Sequence, residues 1–119
     1  MTSAERRCAR LVQQVVCERD RVCQRCGEPF TISAHHVFGR RNHGSAFDPD
    51  SCITLCCTCH DRWARECPQE ARNLLRKKIG EERYTWLDYL STQVVRLRDK
   101  DFEDIAAGLK QKLDRMRGR

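Results

Sequence analysis

From Thr2 to about Arg21 the apolar positions Cys8, Leu11, Val12 and Val15 recur at helical spacing among polar residues. Thr2 and Glu5 have the spacing of a capping box. The pattern predicts an amphipathic first helix. Between residues 22 and 60 this periodicity vanishes, Cys, Gly, Pro and His accumulate, and the short β-favouring runs Phe30-Thr31-Ile32 and His36-Val37-Phe38 stand between turn signals. A hairpin followed by a loop is expected there. Helical patterning returns over residues 60–66. It continues from Pro68, suited to a first helical turn, to Gly80 as a C-cap, with Ala71, Leu74, Leu75 and Ile79 on the buried face. Trp86, Leu87, Leu90, Val94 and Leu97 form a third stripe. After a break at Asp99-Lys100-Asp101, Phe102, Ile105, Ala106, Leu109, Leu113 and Met116 form a fourth. These last two stripes are expected to face one another as an antiparallel helical hairpin.

A chain of 119 residues makes one domain. With 39% hydrophobic and 34% charged residues, and a mean hydropathy of -0.73, its core is modest. Twenty-three Lys and Arg against 17 Asp and Glu leave a net charge of +6, which favours a polyanionic partner such as nucleic acid. The terminal run KQKLDRMRGR is either a solvated helix face or a phosphate-touching tail. No stretch approaches the ~20 apolar residues of a membrane span, and MTSAERRCARLVQQ lacks the apolar run of a signal peptide. The expectation is a cytoplasmic protein with no membrane partner.

Nine cysteines change this picture. Their odd number, the missing export signal and two CxxC pairs argue against a disulfide scaffold. Cys23 and Cys26 form one knuckle, Cys56 and Cys59 the other, and Gly27 supplies the tight backbone. Four thiolates at this spacing predict a structural Zn2+ whose binding energy, on the order of 10 kcal/mol or more, exceeds what a thin core contributes. Cys57 is the ambiguity of register, able to replace Cys56 or Cys59, although the CxxC spacing favours the outer pair. Cys8, Cys17, Cys52 and Cys67 have no partner pattern and read as small core or surface thiols.

Zinc explains the cysteines but not the histidines. His35 and His36 follow the first β-favouring run in SAHHVFGRR, His43 lies in the loop, and His60 follows Cys59 directly. Ser51 is separated from His36 by 14 intervening residues and from His60 by eight. With Cys23, Cys26, Cys56 and Cys59 in order, the segment from about 22 to 66 resembles the HNH, or ββα-metal, endonuclease family. The runs AHHVFGRR, FDPDSCITLCCTCHDRW and IGEERYTWL follow the layout of lambda NinG-like phage recombination nucleases, which act on branched or recombining DNA. The resemblance implies His36 as general base, His35 and His60 as ligands of one catalytic divalent cation, and Ser51 at the Asn position of the motif. That Asn braces the loop carrying the base; Ser offers a shorter side chain with one donor, and Asp48, Asp50 and Asn42 are the neighbours able to substitute. At Ala64 some relatives carry a further metal-binding His.

Elementary chemistry supports these roles. Cleaving a phosphodiester needs a proton taken from water and charge stabilised on phosphoryl and leaving oxygens. A neutral imidazole does the first. Imidazole ligands suit Zn2+, Ni2+, Mn2+ or an iron ion better than Mg2+, which is also a candidate. Arg40 and Arg41, in a loop with no acid before Asp48, are candidate phosphate clamps. On a regular strand, however, His35 and His36 point to opposite faces and meet only at a strand end or bulge. Trp63 reads as core and His43 as an ordinary loop residue.

The expected fold class is α+β: a small zinc-stapled ββα-metal core (β-hairpin plus helix, residues 22–67) with an N-terminal helix (1–21) and a C-terminal helical hairpin (68–119). The expected function is metal-dependent hydrolysis of DNA. The alternatives are a catalytically weak or inactive zinc-stabilised DNA-binding module, or a partner assembling as a homodimer through its C-terminal helices.

Overall fold

The computed structural model describes residues 1–118; Arg119, the last residue of the basic terminal run, lies outside the described residues. Helix α1 (Ser3–Asp20) begins where Thr2 Oγ1 accepts the Glu5 N–H at 3.2 Å and stops at Arg21, whose φ of 68° is left-handed. Its buried face is Cys8, Leu11, Val12, Val15 and Val16, the predicted stripe with one residue added. The carboxylate of Glu5 meets His43 Nε2 at 3.2 Å.

Two antiparallel strands follow, β1 (Ile32–His36) and β2 (Cys52–Cys56), with Ile32 opposite Cys56 and His36 opposite Cys52. The second strand is therefore not at residues 36–38. There the chain turns away, with the Gly39 N–H donating to His36 O at 3.0 Å and Gly39 at φ +90°. Every residue of β2, CITLC, is buried. A strand covered on both faces shows no alternation, so its sequence carries little period-2 signal.

The sheet divides two apolar clusters. On one side Ile53 and Leu55 join Phe38, Trp63, Ala71, Leu75, Tyr84 and Leu87. On the other, Ala34 and Cys52 join the stripes of α1 and the last helix. Helices α2 (Ala64–Glu66), α3 (Pro68–Ile79), α4 (Glu81–Ser91) and α5 (Asp99–Met116) complete the α+β architecture. Pro68 opens α3, and Gly80, at φ 92°, separates α3 from α4.

The helical pairing differs from expectation. Helix α4 ends at Ser91, and Val94 and Trp86 are exposed, so the third stripe does not form. Instead Leu87 and Tyr84 pack with α3, while Phe102, Ala106, Leu109 and Leu113 of α5 pack along α1. Both α1 and α5 run 18 residues against 11 for α4, so only α5 matches the length of the stripe α1 must cover. The acids of 99–101 open a helix as well as ending the previous pattern: Asp101 Oδ2 accepts the Arg98 N–H at 2.8 Å. In the basic terminal run, Lys110 pairs with Asp114 at 2.6 Å and Arg117 Nε with Glu18 of α1 at 2.8 Å, as befits a solvated helix face. Among the described residues no helix is long and apolar enough to cross a membrane.

Asp20 ties the pieces together. Its side chain is fully buried, with Lys78 Nζ of α3 and Arg19 Nε both 2.8 Å from Oδ1 and the Thr54 N–H of β2 donating to Oδ2 at 3.0 Å. Burial pushes the carboxyl up, but the hydrogen bonds from Arg19, Lys78 and Thr54 outweigh it and bring the group down to about 2. A carboxylate depressed on folding adds stability above its unfolded pKa, near 3.8, that is lost as pH falls through about 2. Asp20→Ala leaves Lys78 and Thr54 without their acceptor and is expected to cost about 3 kcal/mol at neutral pH. Urea unfolding at pH 7 and near pH 2 checks this: the difference between variant and wild type should shrink with acid.

Candidate active site and metal centre

The four motif cysteines converge. Cys23 and Cys26 lie on the turn before β1, Cys56 is the last residue of β2, and Cys59 opens a π-helical turn, Cys59–Trp63. Their sulfurs all lie within 4.8 Å of one another, and Cys26 Sγ and Cys56 Sγ are 3.6 Å apart. A tetrahedral ion with bonds of about 2.3 Å sets its sulfurs about 3.8 Å apart, so this donor set fits zinc. Cys57 is exposed and outside the group, which removes the ambiguity of register. The first knuckle is shaped by Gly27, at φ 82°, whose N–H donates to Cys23 O at 2.9 Å; the Gln24 N–H donates to Thr54 O at 2.9 Å and fixes the knuckle to β2.

Backbone donors prepare the sulfurs for charge. Burial pushes the Cys23 thiol up, yet the N–H groups of Cys26, Cys56 and Arg25 bring it down to about 6. Cys59, buried and crowded by neighbouring thiols, is pushed up to about 12 despite the Arg25 guanidinium, which donates to its sulfur at 3.8 Å. A cation among them offsets this repulsion, so metal binding releases protons. Arg25 also lies 5.0 Å from the ring centroid of Trp63, a buried residue whose Nε1–H donates to Glu70 at 2.8 Å. Trp63 is core, as its position suggested, and Ala64 is buried beside it.

The same staple sets the histidines. His60 follows Cys59 on the π-helical turn, and its ring stands 5.1 Å from that of His35, centroid to centroid, at 70°. His36 is the last residue of β1, and at this strand end it joins His35, His60 and Arg40 around one cleft of about 260 Å³ in which no carboxylate stands. The opposite-face difficulty is thus met by position on the strand. Burial, then His60 and His36, hold His35 down at about 4. Burial and Arg40 hold His36 below its ordinary value, partly offset by a hydrogen bond to the Ala46 backbone. The rings of His35 and His36 are therefore neutral at pH 7, each with one nitrogen lone pair to offer.

The loop behind His36 is braced from inside. Ser51 is buried, with Oγ 2.6 Å from Ser45 O and 2.7 Å from Asp48 O, so its single proton ties down the segment holding Ala46. Asn42 adds to this: its side chain donates to Phe38 O, and its carbonyl accepts from Ala46 N at 2.8 Å. Asp48 and Asp50 are instead paired with Arg83 of α4. Ser51→Ala should leave the loop without this tie, cost about 1 kcal/mol of stability and weaken whatever chemistry His36 performs more than a conservative Ser51→Thr, as parallel unfolding and activity measurements would show.

Arg40 and Arg41 are both exposed, and Arg40 lines the histidine cleft. His43 turns away to Glu5, its ring 5.5 Å from that of Phe47. Sequence reading missed Arg25 and Asp20, since an Arg within a knuckle and an acid at a helix end are ordinary until their partners are known.

No curated protein and no solved structure matches the chain. Residues 23–66, from the first thiolate to the end of α2 and so including the histidine cleft and its bracing loop, match the family model described as HNH endonuclease, which supports a nuclease-type function on DNA with metal binding.

Proposed function

We propose that this chain is a metal-dependent endonuclease that hydrolyses DNA phosphodiester bonds, with His36 as general base and His35 and His60 as ligands of one divalent ion. The observation that carries the reading is the meeting of His35, His36, His60 and Arg40 in one acid-free cleft beside four convergent thiolates. His36 takes the proton of the attacking water on its free ring nitrogen while its other side is held at Ala46. Arg40, at the same cleft, offers a planar guanidinium to the phosphoryl oxygens, and Arg41 extends the clamp. An ion bound by His35 and His60 would polarise the phosphate and stabilise the leaving oxygen. Ser51, at the Asn position, acts by holding the loop behind the base.

The ion is Mn2+, Ni2+, Zn2+ or Mg2+, and the zinc-stapled core keeps a separate structural Zn2+. The narrower substrate, branched or recombining phage DNA, rests on the likeness of AHHVFGRR and the segments after it to lambda NinG-like nucleases. The test is direct. Zinc-loaded protein is mixed with supercoiled plasmid and with four-way junctions, and Mn2+, Ni2+ or Mg2+ is added. Nicking is expected, with a second metal ion per chain by elemental analysis. Salt-sensitive DNA binding without cleavage under any ion would overturn the enzyme and leave a binding module.

A further inference from the structure

A second cleft, of about 460 Å³, adjoins the histidine cleft and shares His36 and Arg40 with it. Its far wall is α1, which lies outside the segment matching the endonuclease family. That wall is fixed: Gln13 Oε1 accepts the Ala34 N–H at 2.8 Å, and Gln13 Nε2 donates to Ala34 O at 3.4 Å, one residue before His35. Arg10, three residues before Gln13, therefore shares its helix face and stands over the cleft with Ala9. Phe47 supplies further apolar lining, and Arg41 joins Arg40 on the loop side. Three exposed guanidiniums thus surround a recess with an apolar interior. Its one acid, Glu5, is paired with His43 at 3.2 Å.

We infer that this cleft receives an unpaired nucleotide flanking the scissile phosphate, its base against Ala9 and Phe47 and its phosphates held by Arg10 and Arg41. The inference rests on the nuclease reading and adds the substrate's structure to it. The volume lies within the range of about 300–1,000 Å³ for small-molecule sites, room for a nucleotide but not for a double helix. Every base has an apolar face whose contact with such a lining is worth about 1–3 kcal/mol. A base within a duplex must first be unstacked at a cost of a few kcal/mol, whereas one in a gap or mismatch pays least. Charge complements the choice, since three cations and no free carboxylate face a phosphate chain.

Binding measurements keep this separate from cleavage. With zinc-loaded protein and no catalytic ion, fluorescence anisotropy should show a duplex carrying a short single-stranded gap bound about tenfold more tightly than the same duplex fully paired, the equivalent of one stacked base. Ala9→Trp, which fills the recess, should bring that ratio close to one. Arg10→Ala should weaken both duplexes and lower the salt slope by about one. In the wild type, 2-aminopurine placed in the gap should change its emission on binding, a readout that holds even if Ala9→Trp loses its zinc and fails to fold. Equal affinity for the two duplexes, a preference surviving in zinc-replete Ala9→Trp, or an unchanged 2-aminopurine signal would each overturn the inference. A chain that prefers the gap and never cuts would sink the nuclease reading alone.

Discussion

His36→Ala is expected to lower DNA cleavage by about a hundred- to ten-thousandfold while the protein keeps its structural zinc. The side chain is half-buried and is tied to its surroundings by a hydrogen bond to the Ala46 backbone, so removing it should lower stability by only about 1 kcal/mol. What disappears is the proton acceptor. A neighbour cannot replace it, because the other two imidazoles of the cleft are proposed to carry the ion. Comparison with His35→Ala separates the roles: raising the concentration of Mn2+ or Ni2+ should restore part of the activity to His35→Ala and none to His36→Ala. Because burial and Arg40 hold His36 below 6.5, the wild-type rate should persist on the acid side of that value before it falls. Plasmid nicking followed against pH and metal concentration checks all three points, and equal cutting by wild type and His36→Ala would remove the mechanism.

The second large effect concerns the thiolates. Structural zinc contributes an apparent 10–16 kcal/mol in small zinc domains, as much as the whole net stability of about 5–15 kcal/mol that a domain commands. Cys59→Ser should therefore abolish zinc retention and cooperative unfolding near neutral pH, and chelation of the wild type should do the same. Loss of this one ligand also releases the π-helical turn that carries His60, so the histidine cleft goes with it. Cys57→Ser, two residues away, changes an exposed thiol outside the cluster and should stay within about 0.5 kcal/mol of wild type. Elemental analysis and circular dichroism of the two variants side by side decide the matter; a Cys57→Ser protein that lost its zinc would reverse the register.

How far these conclusions were legible in advance depended on how local the signal was. The first helix, with its Thr2 cap, and the Pro68-to-Gly80 helix were readable because periodicity and caps are written within a few residues. So were the CxxC knuckles, since two thiolates three residues apart reach one ion whatever surrounds them. Strand β2 was not, because CITLC is covered on both sides and lacks alternation. The partner of the last helix was not either: a stripe announces that a face will be buried but not against what. Trp86 and Val94 fit a helical stripe by spacing and are nevertheless exposed, since α3 with Tyr84 and Leu87 already closes that cluster.

The candidate site divides in the same way. Residue types and spacing alone determined the four thiolates, because two thiolates three residues apart reach one ion, and marked the basic loop, whereas the roles expected of the histidines came from the resemblance to HNH endonucleases. The tertiary structure decided which cysteine stays out, how His35 and His36 come to line one cleft, and that Ser51 and Asn42 brace the loop behind His36 while Asp48 and Asp50 bind Arg83. It also decided that α1 walls the neighbouring cleft with Arg10. The physical reason is one of range. Thiolate spacing and helix caps act over a few bonds, whereas the surroundings of an imidazole, the partner of a carboxylate and the covering of an apolar face are fixed by segments distant in sequence that only packing brings together.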